Sequence, residues 1–309
     1  VKKEKRNVFM KKDVYILSGF LGSGKTTLLK GLLESLKAEG TKPAVLMNEL
    51  GSVSIDSDEV DQDTALREML DGCICCTLSD KLESQLQDLL MKEDFGALVI
   101  ETTGAAHPVE VVDSILSPLF ADRFDFKGIL TVVDGLQWRE RGSFSPSVLH
   151  LMREQIRHAS FLVANKVDLL TEMEQGTFAY DLQQLNPGAS IYLTSHSKVP
   201  VEAITSMTKK DRYEGGEGHT LTLQAVVHTF EAGVSGEDFE KWVHAHQESI
   251  YRMKGYIPLQ GRKHPTLFQY SYGMPLYMPG DMNYPTNFVV IGEGLDRERI
   301  ISSLKSLER

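Results

Sequence analysis

A glycine-rich turn set between an apolar run and a helix-forming run constrains this chain more than any other feature. Gly19-Phe20-Leu21-Gly22-Ser23-Gly24-Lys25-Thr26-Thr27 fits G-x-x-x-x-G-K-[ST], follows Val14-Tyr15-Ile16-Leu17 and precedes a helix-like segment from Leu28 to Lys37. A phosphate-binding loop requires that strand-loop-helix setting. The backbone N–H groups at Gly22, Ser23 and Gly24 are expected to wrap a β-phosphate, helped by the positive end of the following helix. Lys25 would set a point charge between β- and γ-phosphates, and Thr26, ahead of Thr27, would coordinate magnesium.

Further apolar runs, Ala44 to Met47, Ala97 to Ile100, Gly128 to Val133, Phe161 to Ala164 and Ile191 to Thr194, alternate with helical segments such as Ser84 to Met91 and Val148 to His158. Such alternation predicts an α/β fold of the P-loop type, its mostly parallel sheet covered by helices on both faces. Chemistry then belongs at the carboxyl ends of the strands. Glu101-Thr102-Thr103-Gly104 follows one such end, where Glu101 is expected near magnesium and the Gly104 N–H near the γ-phosphate. Lys25 and Glu101 are the expected catalytic residues. Asn165-Lys166-Val167-Asp168 follows another end, and the Asp168 carboxylate can accept both N1–H and N2–H of guanine, donors that adenine lacks. GTP and GDP are the expected nucleotides.

All three cysteines fall at Cys73, Cys75 and Cys76, beyond Asn48-Glu49-Leu50-Gly51 and an acidic stretch from Asp56 to Asp63. Thiolates are soft ligands that suit zinc, Cu(I) or iron, and this cluster supplies most of a tetrahedral shell. Glu49 or His107 would complete it. Three cysteines cannot all pair within one chain, so metal or redox chemistry is a better reading than a disulfide framework.

Composition narrows the partners. With 33 Lys and Arg against 43 Asp and Glu the formal charge is −10, which argues against nucleic acid or an anionic membrane as the main partner. No apolar run reaches the roughly 20 residues of a spanning helix, and the basic start (Lys2, Lys3, Lys5, Arg6) leads into no secretory segment. A soluble, cytoplasmic protein is expected, with Met10 a candidate internal start.

In order and spacing, GFLGSGKTT at Gly19 to Thr27, NELG at Asn48 to Gly51, GCICC at Gly72 to Cys76, ETTG at Glu101 to Gly104 and NKVD at Asn165 to Asp168 resemble the CobW-type GTPases, a metallochaperone family related to the nickel-insertion GTPases of urease and hydrogenase. The resemblance implies that Cys73, Cys75 and Cys76 are the transition-metal ligands, with Glu49 a switch carboxylate sensing metal and nucleotide. It implies three parts: a GTPase domain at 1–208, a linker at 209–219 that holds Gly215, Gly216 and Gly218, and a smaller α+β domain at 220–309. In that last part strand-like runs Leu221 to Phe230, Tyr251 to Ile257, Leu267 to Tyr272 and Phe288 to Ile291 accompany helices at Gly236 to Ser249 and from Asp296. Arg252-Met253-Lys254-Gly255 is similar to a basic signature of the family, and equally suits an edge strand guarded by charge.

The implied function is GTP-driven transfer of a transition metal to a client protein, with zinc the first choice and cobalt, iron or nickel the alternatives. Cobalt or iron insertion of the cobalamin-synthesis or nitrile-hydratase type is the runner-up. A thiol redox or metal-sensing protein using Cys73 and Cys76 is a further alternative, and a homodimer is admitted. Departures from the family are few. The nine histidines form no tract, Asp71 stands where a second glycine is common, and Leu50 stands where phenylalanine is common. His244 and His246, two apart on a helix, point to different faces and read as solvated surface.

Overall fold

The computed structural model describes residues 11–47, 65–68, 78–200, 202–204, 223–271 and 273–308. Glu49, Cys73, Cys75, Cys76 and the expected linker 209–219 lie outside these residues. In the first part, strands β1 (Lys12–Gly19), β2 (Pro43–Met47), β3 (Ala65–Glu68), β4 (Ala97–Glu101), β5 (Phe124–Asp134), β6 (Phe161–Asn165) and β7 (Ser190–Leu193) form one sheet in the order β3-β2-β4-β1-β5-β6-β7. Every pairing in it is parallel. All strand carboxyl ends therefore reach the same edge, and β1, which carries the glycine-rich turn, lies at the centre.

Successive side chains of a strand point to opposite faces. Val14 and Ile16 of β1 pack with Leu82, Leu86 and Leu89 of α2 (Leu78–Lys92) and Val109, Val112 and Ile115 of α3 (Pro108–Ile115). Tyr15 and Leu17 face the other way, onto Leu28, Leu29, Leu32 and Leu36 of α1 (Lys25–Ala38). Each buried leucine contributes roughly 1.5–3 kcal/mol relative to exposure, so these two layers anchor the loops at the sheet edge. A third cluster joins Trp138 of the short α4 (Gly135–Arg139), Met152 and Ile156 of α5 (Pro146–Arg157), and Phe178 and Leu182 of α6 (Glu172–Leu185).

The last part is an antiparallel sheet of β8 (Leu223–Thr229), β9 (Ile250–Ile257), β10 (Thr266–Ser271), β11 (Met274–Met278) and β12 (Asn287–Glu293), in the order β11-β10-β9-β12-β8. Two helices, α7 (Gly236–His246) and α8 (Arg297–Ser306), cover one face, burying Phe239, Trp242, Ile300 and Leu304 against Phe268 and Phe288. Part of the other face, over β8, β9 and β12, is buried as well. Leu223, Val289 and Ile291 belong to the same buried cluster as α2, α3 and β1, so one core runs through both sheets.

Polar contacts cross the same seam. Asn287 Nδ2 donates to Pro118 O at 2.9 Å and to Asp122 Oδ1 at 3.1 Å, and Lys254 Nζ meets Glu83 Oε1 of α2 at 3.1 Å. The edge-strand reading of Arg252 to Gly255 is thereby corrected: β9 lies between β10 and β12, and its lysine faces α2 rather than guarding an open edge. Of the two histidines of α7, His244 is exposed, while His246 stacks on Trp242 with ring centres 4.5 Å apart. Among the described residues no helix is long and apolar enough to cross a membrane.

Candidate functional site

The turn after β1 opens directly into α1, and the geometry of that junction suits an anion. Gly24 caps α1 in a left-handed conformation (φ 111°), no side chain caps the helix, and its first turn holds no acidic residue. The unsatisfied N–H groups of a helix start and its positive dipole end favour a phosphate in such a place. A side chain at Gly24 would have no room either, since its Cβ would lie 2.5 Å from both Asn165 Nδ2 and Ser197 Oγ.

Lys25 is buried, its ammonium donating to Gly19 O at 2.9 Å and Phe20 O at 3.2 Å. Burial lowers its pKa and the nearby Glu101 carboxylate opposes that shift. Thr26 Oγ1 donates to Glu101 Oε1 at 3.2 Å, which brings the two expected magnesium ligands together at adjoining strand ends. Thr27 and Gly22 are exposed, whereas Ser23 is fully buried.

Two other strand-end loops hold the turn. Thr102 Oγ1 donates to Leu17 O at 2.9 Å, and a methyl group at Gly104 would sit 2.7 Å from Leu21 N, so the ETTG backbone lies against the turn. Gln155 of α5 fixes that loop from behind, donating to Gly104 O at 3.0 Å and Ala106 O at 3.3 Å. Gly104→Ala is expected to slow GTP hydrolysis roughly 10- to 100-fold, because displacement of positioning groups by about an ångström has effects of that size. Steady-state phosphate release would measure it, with an unchanged circular dichroism spectrum showing that the fold is kept.

The NKVD loop supplies the third wall. Asn165 Nδ2 donates to Ser23 O at 2.8 Å, and Lys166, in a left-handed conformation (φ 62°), donates through Nζ to Gly22 O at 2.9 Å and pairs with Asp134 Oδ2 at 2.6 Å. Asp168 is exposed beside them. Of the residues expected at the site, Gly22, Ser23, Gly24, Lys25, Thr26, Thr27, Glu101, Gly104, Asn165, Lys166 and Asp168 thus converge at one sheet edge. Glu49 and the three cysteines fall outside the described residues.

Several residues not picked out in the sequence take part. Ser197, in the loop after β7, donates its backbone N–H to Asn165 Oδ1 at 2.8 Å, and its hydroxyl donates to Gly24 O at 3.0 Å. Asp134 caps α4 as well as pairing with Lys166, and Gln137 of that helix donates to Leu21 O at 2.8 Å. Their signal was position: each follows the end of an apolar run, as the named motifs do.

The profile described as CobW/HypB/UreG, nucleotide-binding domain, matches residues 13–193, more than half of the chain. The chain belongs to the CobW/HypB/UreG family of P-loop GTPases. A second profile, the cobalamin synthesis protein cobW C-terminal domain, matches residues 223–308. Among relatives of this CobW-family chain, the zinc chaperone YjiA of Escherichia coli is 27% identical over 321 aligned positions, covering 96% of this chain and 98% of that protein. The zinc chaperone CobW of Pseudomonas aeruginosa is 25% identical, covering 96% and 91%. The zinc-regulated GTPase metalloprotein activator 1 of Dictyostelium discoideum is 30% identical, covering 63% and 48%. Among solved structures, zinc-bound YjiA GTPase from Escherichia coli aligns with a TM-score of 0.51 at 22% identity, covering 97% of this chain and all of that one, which shows the shared fold.

Proposed function

We propose that this GTPase is a zinc metallochaperone in which Cys73, Cys75 and Cys76, with Glu49, bind the metal, and in which GTP binding and hydrolysis govern its transfer to a metal-requiring client. The observation that carries the reading is the convergence of Lys25, Thr26, Glu101 and Gly104 around an uncapped helix start, in the same sheet as β3 and β4, the strands that flank the cysteine motif in sequence. β3 ends at Glu68 and α2 begins at Leu78, so all three cysteines fall between an edge strand and a helix of the nucleotide-binding core. Relatives named as zinc chaperones and as a zinc-regulated GTPase activator support zinc as the cargo.

The chemistry follows from the donor sets. Thr26 and Glu101 offer oxygen donors of the kind magnesium prefers, and that ion would neutralise charge on the phosphate oxygens. Lys25 would leave the carbonyls of Gly19 and Phe20 for the phosphates, and the Gly104 N–H would follow the γ-phosphate. Phosphoryl transfer needs positioning and charge stabilisation more than covalent chemistry, so these groups suffice for slow turnover. Three thiolates and a carboxylate suit zinc, and their deprotonation makes affinity rise with pH. The division proposed for the chain is a GTPase part at 1–208, a linker at 209–219 and a docking part at 220–309.

The test is zinc affinity of the reduced protein, measured by competition titration with magnesium and either GTPγS or GDP. A difference between the two states that disappears in Cys75→Ala/Cys76→Ala is expected, because linkage makes any effect of nucleotide on metal reciprocal. Equal affinities in both states would overturn GTP-gated zinc transfer.

A further inference from the structure

A second set of metal-binding side chains stands apart from the cysteine motif. His107 caps α3, three positions after Gly104, while Glu154 and His158 lie one turn apart at the end of α5. One donor atom from each of the three lies within 4.8 Å of the others. His158 is 4% exposed and Glu154 14% exposed, so the group is shielded from water without being sealed.

We propose that His107, Glu154 and His158 form a binding site for a divalent transition metal of the zinc class, distinct from the cysteine motif and joining the γ-phosphate loop to the C-terminal sheet. Two imidazoles and one carboxylate are a set zinc accepts with a fourth position left open. Donor atoms around one zinc ion stand roughly 3.5 Å apart, so binding would draw the three side chains together by about an ångström or less.

The surroundings of His158 are those of a metal-bound imidazole. Its Nε2 faces Glu154 Oε2 at 3.2 Å, and its Nδ1 lies 2.9 Å from Glu293 Oε1, a carboxylate of β12. Neither His158 Nδ1 nor Glu293 Oε1 makes a well-directed hydrogen bond there, although both atoms are fully buried. Histidine ligands commonly donate their second nitrogen to a carboxylate, which fixes the ring and raises its basicity. Binding through Nε2 would put a proton on Nδ1 and turn this close approach into that hydrogen bond. Tyr251 of β9 packs its ring edge-on against His158, with centres 5.7 Å apart, and its hydroxyl bonds Glu293.

The position gives the site a consequence. Gln155, between Glu154 and His158 in sequence, already holds Gly104 O and Ala106 O, so the metal would tie the loop that carries Gly104 and His107 to α5 and, through Glu293, to β12. It depends on no cysteine.

The experiment uses the full chain with Cys73→Ala/Cys75→Ala/Cys76→Ala, titrated with zinc against a chromophoric chelator and with cobalt(II) followed by visible absorption. About one equivalent of metal is expected to bind, with a cobalt spectrum free of thiolate charge-transfer bands. Adding His107→Asn, which keeps a residue suited to capping α3, should weaken binding by at least roughly 10-fold, and Glu293→Gln by about 10-fold. Absence of micromolar binding in the cysteine-free chain, or unchanged affinity in His107→Asn with cooperative unfolding intact, would leave the cluster a hydrogen-bonded contact between the two sheets and overturn the proposal. Loss of nucleotide-dependent zinc binding at the cysteines would not touch it.

Discussion

Lys25→Ala is expected to lower GTP turnover roughly 100- to 1000-fold, the size seen when one preorganised donor to a developing charge is removed. The ammonium stands 2.9 Å from Gly19 O and 3.2 Å from Phe20 O, inside the turn that joins β1 to α1. Burial already disfavours its charge, so the folded protein holds a cation there at a cost that a phosphate would offset. The loss should therefore appear in turnover and not in the fold. Steady-state hydrolysis and thermal unfolding without nucleotide measure the two separately, and a folded variant that kept more than about a tenth of its activity would exclude Lys25 from the role given to it.

Asp168→Asn is expected to weaken GTP roughly 100-fold or more and to improve xanthosine triphosphate by a comparable factor. A site built to accept two N–H donors rejects a ligand that lacks one, because a buried polar group is left unpaired. Asparagine exchanges one acceptor oxygen for an N–H₂ donor, and xanthine presents a carbonyl where guanine presents its amino group. The reversal of preference is the decisive readout, since a variant that merely loosened the loop would weaken both. Asp168 is exposed beside Asn165 and Lys166, whose contacts to Ser23 O and Gly22 O hold the loop in place, so the substitution leaves the packing intact. Competition binding of the two nucleotides would show it; weakening of both by the same factor would remove Asp168 from base recognition.

The parts of the nucleotide edge that could be read from sequence share one property: each is local. The turn at Gly19 to Thr27 carries its strand, glycines and helix within one short stretch, and ETTG and NKVD each sit at the end of an apolar run. Strand starts were less visible. β1 begins at Lys12 and β5 at Phe124, ahead of their apolar runs, because pairing with a neighbour, and not side-chain polarity, sets where a strand begins. β3 and β11 escaped notice for the same reason. Ala65–Glu68 and Met274–Met278 are short edge strands with no strong alternating pattern, and each is a strand by virtue of β2 or β10 beside it.

By itself, then, the sequence determined a parallel nucleotide-binding core, a second sheet after it, and a cysteine cluster placed between elements of that core, since backbone periodicity and glycine stereochemistry act over a few residues. Tertiary structure decided how those pieces meet. β9 became a central strand whose Lys254 reaches Glu83, Val289 and Ile291 of the second sheet entered the core of the first, and His107 came to face Glu154 and His158, with Glu293 behind. Burial of an apolar sheet face acts at any separation along the chain. Contacts of that kind leave no spacing in the sequence by which they could be read.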